Sequence, residues 1–281
     1  MKYLVTSATG GLAGMAVKHL INLVPVSDIV VTVRNMEKAK PFQEQGLEVR
    51  YADFFDKASL VKAFSGIDRV LFVSSNDLAK RQGQHKNVVE ALKEAGVQYV
   101  LYTSAPDAQN SKLPVAPDHK YTENLIVEAG LDYGFARNNW YIENETFVLK
   151  AVKNGAPLYY SAGEGRVCYA LKEDYAEAAA RILAGVAPKQ NVYELGGPPI
   201  TYEELGQIVG KVLGRKVETK AVSDEEYAQY LLNLGAPPEM AHFATAIQKD
   251  IRNGDLDFPT PDLENALGRK PTPFDGFIQA L

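Results

Sequence analysis

Six short runs of β-branched and aliphatic residues recur through the first half of the chain, separated by stretches of helical spacing. This alternation constrains the fold more than any other feature. The runs are Tyr3–Thr6, Ile29–Val33, Leu47–Tyr51, Val70–Ser74, Tyr99–Thr103 and Tyr133–Arg137. Between them, Ala13–Val24 places Val17, Leu20, Ile21 and Val24 on one stripe, and Asn87–Ala95 does the same with Val88, Ala91, Leu92 and Ala95. Strand-helix repetition at this interval demands right-handed crossovers and a parallel sheet. The apolar runs are nearly continuous, as strands covered by helices on both faces require. The expected fold class is α/β, a Rossmann-type doubly wound parallel sheet.

After Arg137 the rhythm changes. Trp140–Asn154 has helical spacing, then Gly155-Ala-Pro157 and Gly163-Glu-Gly165 interrupt the chain. Thr201-x-x-Glu204 and Ser223-x-x-Glu226 are capping-box spacings that mark helix starts, and Gly235-Ala-Pro237-Pro238 separates two further helices. At roughly 150 residues per domain, 281 residues allow about two units. The expected division is a dinucleotide-binding domain over 1–137, with later segments free to return to it. A smaller mixed substrate lobe over 138–281 is laid across the C-terminal edge of the sheet.

Composition narrows the function classes. With 30 Lys and Arg against 35 Asp and Glu, the net charge is −5, which argues against a nucleic-acid or anionic-membrane surface. The single cysteine, Cys168, excludes an intrachain disulfide and fits a reducing compartment. The four histidines have no paired metal spacing, so no metal site is expected. The uncharged stretch Tyr3–Val17 carries Thr, Ser and three glycines in its middle, unlike a signal peptide. No run reaches the ~20 apolar residues of a membrane span. A cytoplasmic protein is expected, as monomer or homodimer.

The segment richest in chemistry is Thr6-Ser7-Ala8-Thr9-Gly10-Gly11-Leu12-Ala13-Gly14, which follows the first strand and opens the first helix. A dinucleotide diphosphate needs a tight turn, close backbone approach and free amides at a helix N-terminus. Gly10 and Gly11 permit that approach, and Ala13 is small enough for helix-on-strand packing. At the end of the second run, where NAD-selective sites present an acid to the ribose 2′-hydroxyl, stands Arg34, with Lys38 nearby. A guanidinium there pairs with a 2′-phosphate, so NADP(H) is the expected cofactor.

These residues, with Ala52-Asp53, Phe72-Val73-Ser74-Ser75, Gln84-His85-Lys86-Asn87-Val88, Tyr102-Thr103-Ser104, Arg137-Asn138-Asn139-Trp140-Tyr141, Asp174-Tyr175-Ala176 and Tyr193-Glu194-Leu195, resemble one family along nearly the whole chain. It is the NmrA-like branch of the atypical short-chain dehydrogenases, and within it the bacterial NAD(P)H:quinone oxidoreductase and triphenylmethane reductase group. The resemblance implies that Ser7, Ala8, Thr9, Gly10, Gly11 and Leu12 hold the diphosphate and Arg34 the 2′-phosphate. It implies that Ser74, Ser75 and Asn76 line the cofactor past the fourth strand. Asn138, Asn139, Trp140, Tyr141, Ile142 and Glu143 would wrap the nicotinamide end, with Asn144 facing the substrate. Arg166 is a further basic group within reach of a cofactor phosphate.

Two departures matter. The family's loop usually reads Gly-Ala-Thr-Gly, and Ser7 replaces its first glycine; a turn requiring φ > 0 would strain a serine there. Ordinary short-chain dehydrogenases use Tyr-x-x-x-Lys for proton transfer. The corresponding positions here are Val115 and His119. Loss of that dyad disfavours carbonyl and sugar-nucleotide epimerase chemistry. Hydride addition to a quinone gives a delocalised anion that solvent can protonate, so a quinone or similar flat acceptor fits best. Asn144 orients that acceptor, and His119 is a candidate acid because imidazole titrates near neutrality. The rival reading is a non-catalytic NmrA-like sensor of dinucleotide redox state.

Overall fold

Nine strands form two sheets in the computed structural model, which describes residues 1–281. They are β1 (Tyr3–Val5), β2 (Ile29–Val33), β3 (Glu48–Tyr51), β4 (Arg69–Phe72), β5 (Tyr99–Ser104), β6 (Asp132–Asn138), β7 (Leu158–Tyr160), β8 (Val192–Leu195) and β9 (Thr219–Ala221). Helices α1 (Gly11–Leu20), α2 (Lys40–Gln43), α3 (Lys57–Phe64), α4 (Arg81–Glu94) and α5 (Ala116–Glu128) alternate with the first six strands. There follow α6 (Thr146–Lys153), α7 (Lys172–Ala184), α8 (Tyr202–Leu213) and α9 (Asp224–Asn233), then α10 (Pro238–Arg252), α11 (Asp262–Leu267) and α12 (Asp275–Ala280).

The large sheet is parallel throughout, in the order β3-β2-β1-β4-β5-β6-β8. The strand order reverses between β1 and β4, and in such sheets ligands bind outside the strands' carboxyl ends at that reversal. On one face α1, α7 and α11 pack around Val5, Val31, Leu71 and Leu101. On the other α3, α4 and α5 cover Leu4, Val30, Val70 and Tyr102. Strand β2 is buried at every residue, which explains its unbroken apolar run. Strand β3 lies at the edge with Glu48 and Tyr51 exposed.

The chain leaves this sheet after β6 and returns twice, with β8 joining as the last strand and α7 and α11 packing on one face. Helices α6, α8, α9, α10 and α12 gather around a separate core containing Ile142, Leu149, Tyr169, Tyr202, Tyr227 and Ile251. The parallel pair β7–β9 belongs to this lobe. Both capping boxes form, at Thr201 with Glu204 and at Ser223 with Glu226.

The sequence expectation of one helix over Trp140–Asn154 fails at its start. Asn139 accepts the Trp140 amide on its side chain at 2.8 Å, and Tyr141 bridges to Ala170. These contacts keep the backbone extended, so a 3₁₀ turn spans Ile142–Glu145 and the helix begins at Thr146. Helical spacing over Trp140–Glu145 reflects burial on one side, not a helix.

Candidate active site

The loop after β1 turns at Ser7, whose φ is +54°, in the left-handed region. Its carbonyl accepts the Gly10 amide at 2.8 Å, and its own amide donates to Thr32 Oγ1 at 3.2 Å. A serine held there costs about 1–2 kcal/mol, a strain characteristic of functional turns. A Cβ on Gly10 would lie 3.2 Å from the Ser7 carbonyl, tighter than ordinary contact, whereas beside Gly11 the space is open to the Lys172 stem at 3.9 Å. Gly10 caps α1 without a side-chain hydrogen bond, and the amides of Gly11, Leu12 and Ala13 have no partner in the protein. Three free donors at a helix N-terminus make an anion cradle. Arg34 extends from the end of β2, exposed and unpaired, on the rim of the same cleft.

Past β4, side chains rather than a sheet neighbour hold the chain. The Ser74 amide donates to Thr103 Oγ1, and the Ser75 amide to His85 Nε2 at 3.0 Å. Arg81 Nε donates to the Ser75 carbonyl at 2.7 Å. Because His85 Nε2 accepts, its proton is on Nδ1, which donates to Thr122 Oγ1 at 2.8 Å. The Tyr102 hydroxyl and His119 Nδ1 share a hydrogen bond at 2.8 Å, while His119 Nε2 has no protein partner and the residue lines the cleft. Burial pushes both imidazoles down to about 3, with the Arg81 charge adding to the effect. Both are neutral near pH 7, so His119 is not an imidazolium acid there. The expectation that it titrates near neutrality is thereby corrected: burial against Tyr102 and Arg81 withholds the proton.

The third wall follows β6. Arg137 grips Glu123 bidentately, Nε to Oε1 at 2.9 Å and Nη2 to Oε2 at 2.7 Å, and reaches Glu194 at 2.7 Å. This ties β6, α5 and β8 together just before the backbone enters the cleft. Asn138 Nδ2 donates to the Tyr141 phenol at 3.1 Å, while its buried Oδ1 has no partner. Burial pushes the Tyr141 phenol up to about 12. Lys172 Nζ lies 5.5 Å over the Tyr141 ring.

Ser7, Thr9, Gly10, Gly11, Leu12, Arg34, Ser74, Ser75, Asn76, His119, Asn138, Asn139, Trp140, Tyr141 and Asn144 all line one cleft of about 900 Å³. Four expected residues do not line it. Ala8 is buried beneath the loop, its amide bonded to the Thr32 carbonyl. Ile142 belongs to the core of the lobe. Glu143 accepts the Lys172 amide on both carboxylate oxygens, at 2.9 and 3.1 Å, and so caps α7. Arg166 is half-exposed and donates to the Pro199 carbonyl at 2.8 Å, beside Glu204. Its loop is wedged on α10, where a Cβ on Gly165 would collide with the Ile251 carbonyl, and this turns Arg166 toward α8.

The family model of the NmrA-like family matches residues 1–278. The chain belongs to the NmrA-like family. This NmrA-like chain is 34% identical over 269 residues to quinone oxidoreductase 2 of Escherichia coli (strain K12), covering 95% of itself and 94% of that protein. It superimposes on the NADPH-dependent quinone oxidoreductase of Escherichia coli, solved with NADPH, with a TM-score of 0.93 at 33% identity over 99% of each chain. Against the Citrobacter sp. triphenylmethane reductase, solved with NADP(H), the TM-score is 0.91 at 36% identity over the whole of both chains.

The sequence reading missed Lys172 in the NmrA-like cleft, and the Tyr102 contact behind its wall. Lys172 lines it beside Gly11; its only sequence signal was the adjoining Asp174-Tyr175-Ala176. The Tyr102–His119 contact was hidden because Tyr102 reads as an ordinary strand residue. No helix is long and apolar enough to cross a membrane.

Proposed function

We propose that this protein is an NADPH-dependent oxidoreductase that delivers hydride to a quinone or a similar flat, conjugated acceptor. The observation that carries the reading is continuity. An anion cradle with three free amides and an unpaired Arg34 opens through one cleft onto Trp140, Tyr141 and Asn144. The residues present fit NADP(H), which when bound supplies the hydride at its nicotinamide. The amides of Gly11, Leu12 and Ala13 would hold the diphosphate, with the Lys172 ammonium adding charge. Arg34 would take the 2′-phosphate. Asn138 Oδ1, buried and lacking a partner, would accept from the carboxamide of the nicotinamide.

At the acceptor end Asn144 is exposed, and its side chain is free of protein hydrogen bonds. It would orient the acceptor, where about 1 Å of misplacement costs ~10²-fold. Val115 and His119 stand at the cleft where ordinary short-chain dehydrogenases carry Tyr and Lys. Neither is an acid near pH 7, so the Tyr–Lys pair of carbonyl reductases has no counterpart at these two positions. The test is steady-state NADPH oxidation with a panel of quinones, cationic dyes and ketones. Turnover of quinones and dyes well above ketones is expected. Tight NADPH binding with no turnover of any acceptor would replace the enzyme by the dinucleotide sensor.

A further inference from the structure

Beyond Asn144 the cleft opens into a second cavity of about 500 Å³, sharing Val115, Trp140, Tyr141 and Asn144 as common wall. Its lining is mainly apolar, with Phe147, Leu231 and Phe243 among its residues, yet it contains the carboxyl of Glu145. Glu145 is buried and held by one oxygen only. Trp140 Nε1 at 3.2 Å, the Tyr169 phenol at 3.1 Å and the Tyr202 phenol at 3.1 Å all donate to Oε1. Oε2 has no hydrogen-bond partner, and it is not among the side-chain atoms sealed in the core. An oxygen crowded by three donors cannot also carry a proton, so the proton of the neutral acid is on Oε2.

We propose that Glu145 is the proton donor to the acceptor, an assignment that rests on the hydride-transfer reading above. As hydride reaches a quinone, the Oε2–H bond of Glu145 breaks and an O–H bond forms on the oxygen that would become anionic. The quinone gains hydride and proton to become a hydroquinone, NADPH becomes NADP⁺, and solvent returns a proton to Glu145. Two opposed influences suit the carboxyl to this task. Burial raises its pKa and so favours the protonated form before transfer. The three donors on Oε1 stabilise the carboxylate that transfer leaves behind.

No cation neutralises Glu145. Arg81, which lines the same cavity, is held by the Ser75 carbonyl and lies 3.8 Å from Asp118. The other titratable groups facing Glu145 are the phenols of Tyr141, Tyr169, Tyr202 and Tyr227, all pushed up by burial, so none titrates in the carboxyl's range. The cavity's amide side chains, Asn76, Asn144 and Gln248, do not ionise.

The experiment compares two acceptors with NADPH. 1,4-Naphthoquinone takes hydride and a proton; a cationic triphenylmethane dye takes hydride alone at its central carbon and becomes neutral. Glu145→Gln keeps the size and an oxygen for the three donors, and it should lower the quinone-to-dye ratio of kcat on the order of a hundredfold. In the parent protein quinone turnover should fall as pH rises through the carboxyl's pKa, with no such limb for the dye. Tyr202→Phe removes one donor from Oε1, destabilises the carboxylate and should move that limb to higher pH. An unchanged ratio in Glu145→Gln overturns the proposal, as does a rise in dye KM alone, which would make Glu145 a cation-binding carboxylate. Should Glu145→Gln fail to fold, a limb that stays in place in Tyr202→Phe overturns it. A parent protein that oxidises NADPH with neither acceptor overturns the hydride-transfer reading, and this assignment with it.

Discussion

The hydroxyl of Tyr102 and Nδ1 of His119 share a hydrogen bond at 2.8 Å, and burial against that ring keeps the imidazole at the cleft wall neutral. A histidine fixed in this way contributes a dipole to the acceptor site but no titrating charge. His119→Ala should therefore lower quinone turnover by less than the 10²–10⁴-fold loss of a true general acid, and the pH profile should lose no limb near about 6–7. Asn144→Ala should do more harm, on the order of a hundredfold in kcat, with NADPH affinity retained. Steady-state assays with 1,4-benzoquinone across pH measure both. A hundredfold loss in His119→Ala together with a vanished limb would make the histidine the acid after all.

The same burial makes stability pH-dependent. The folded-state pKa of His119 is depressed to about 3, while the unfolded chain has the ordinary value near 6.5. Between those values the unfolded state binds more protons, so the stability is fully present above pH ~6.5 and is lost as pH falls toward ~3. Each withheld proton costs about 1.4 kcal/mol per pH unit in that window. His119→Gln should flatten the dependence of unfolding free energy on pH by about that slope between pH 6 and 4. Urea titrations of both proteins at several pH values give the comparison, and parallel slopes would contradict the buried, neutral assignment.

Arg34 stands exposed and unpaired at the end of β2, where a 2′-phosphate would reach it. Arg34→Ala should weaken NADPH binding by about 1.5–3 kcal/mol, the worth of a charge-assisted pair, and leave NADH binding nearly as it was. Calorimetric titration with both cofactors measures the difference; equal losses would place the 2′-phosphate elsewhere.

Ser7 gives the most direct test of strain. Because its φ is +54°, Ser7→Gly should stabilise the protein by up to about 1 kcal/mol, the relief being partly offset by the extra freedom of glycine in the unfolded chain. NADPH affinity should be equal or higher. Thermal unfolding and calorimetry decide it, and markedly weaker NADPH binding would reveal the serine hydroxyl as a ligand.

How much of this was legible depends on how local each signal is. The phosphate loop announces itself because strand, glycines and helix follow one another within a dozen or so residues, and the capping boxes at Thr201 and Ser223 are four-residue patterns. The opposite holds for Glu145, whose donors Tyr169 and Tyr202 lie 24 and 57 positions away. Nothing in the string Ile142-Glu143-Asn144-Glu145 separates it from a solvated acid. The neutrality of His119 is likewise a product of burial, which one helix turn cannot display. Arg166 misled for a complementary reason: a basic residue in a glycine loop suits phosphate binding, but the loop's seat on α10 sets its direction. Trp140–Glu145 mimicked a helix because burial on one side gives the same spacing as a helical stripe.

The segment Asn138–Glu145 carries, in sequence order, the free acceptor Asn138 Oδ1, the shared wall at Trp140 and Tyr141, Asn144, and the carboxyl of the second cavity. It is anchored behind by the Arg137–Glu123 grip and ahead by α6. Within this segment Ile142 is locked in the lobe core, Glu143 caps α7 and Tyr141 holds Asn138, so the exposed Asn144 is the member open to exchange without disturbing the framework that grips the nucleotide. Substitutions at Asn144 are therefore the economical route to new acceptors, with the phosphate loop and Arg34 left as they are.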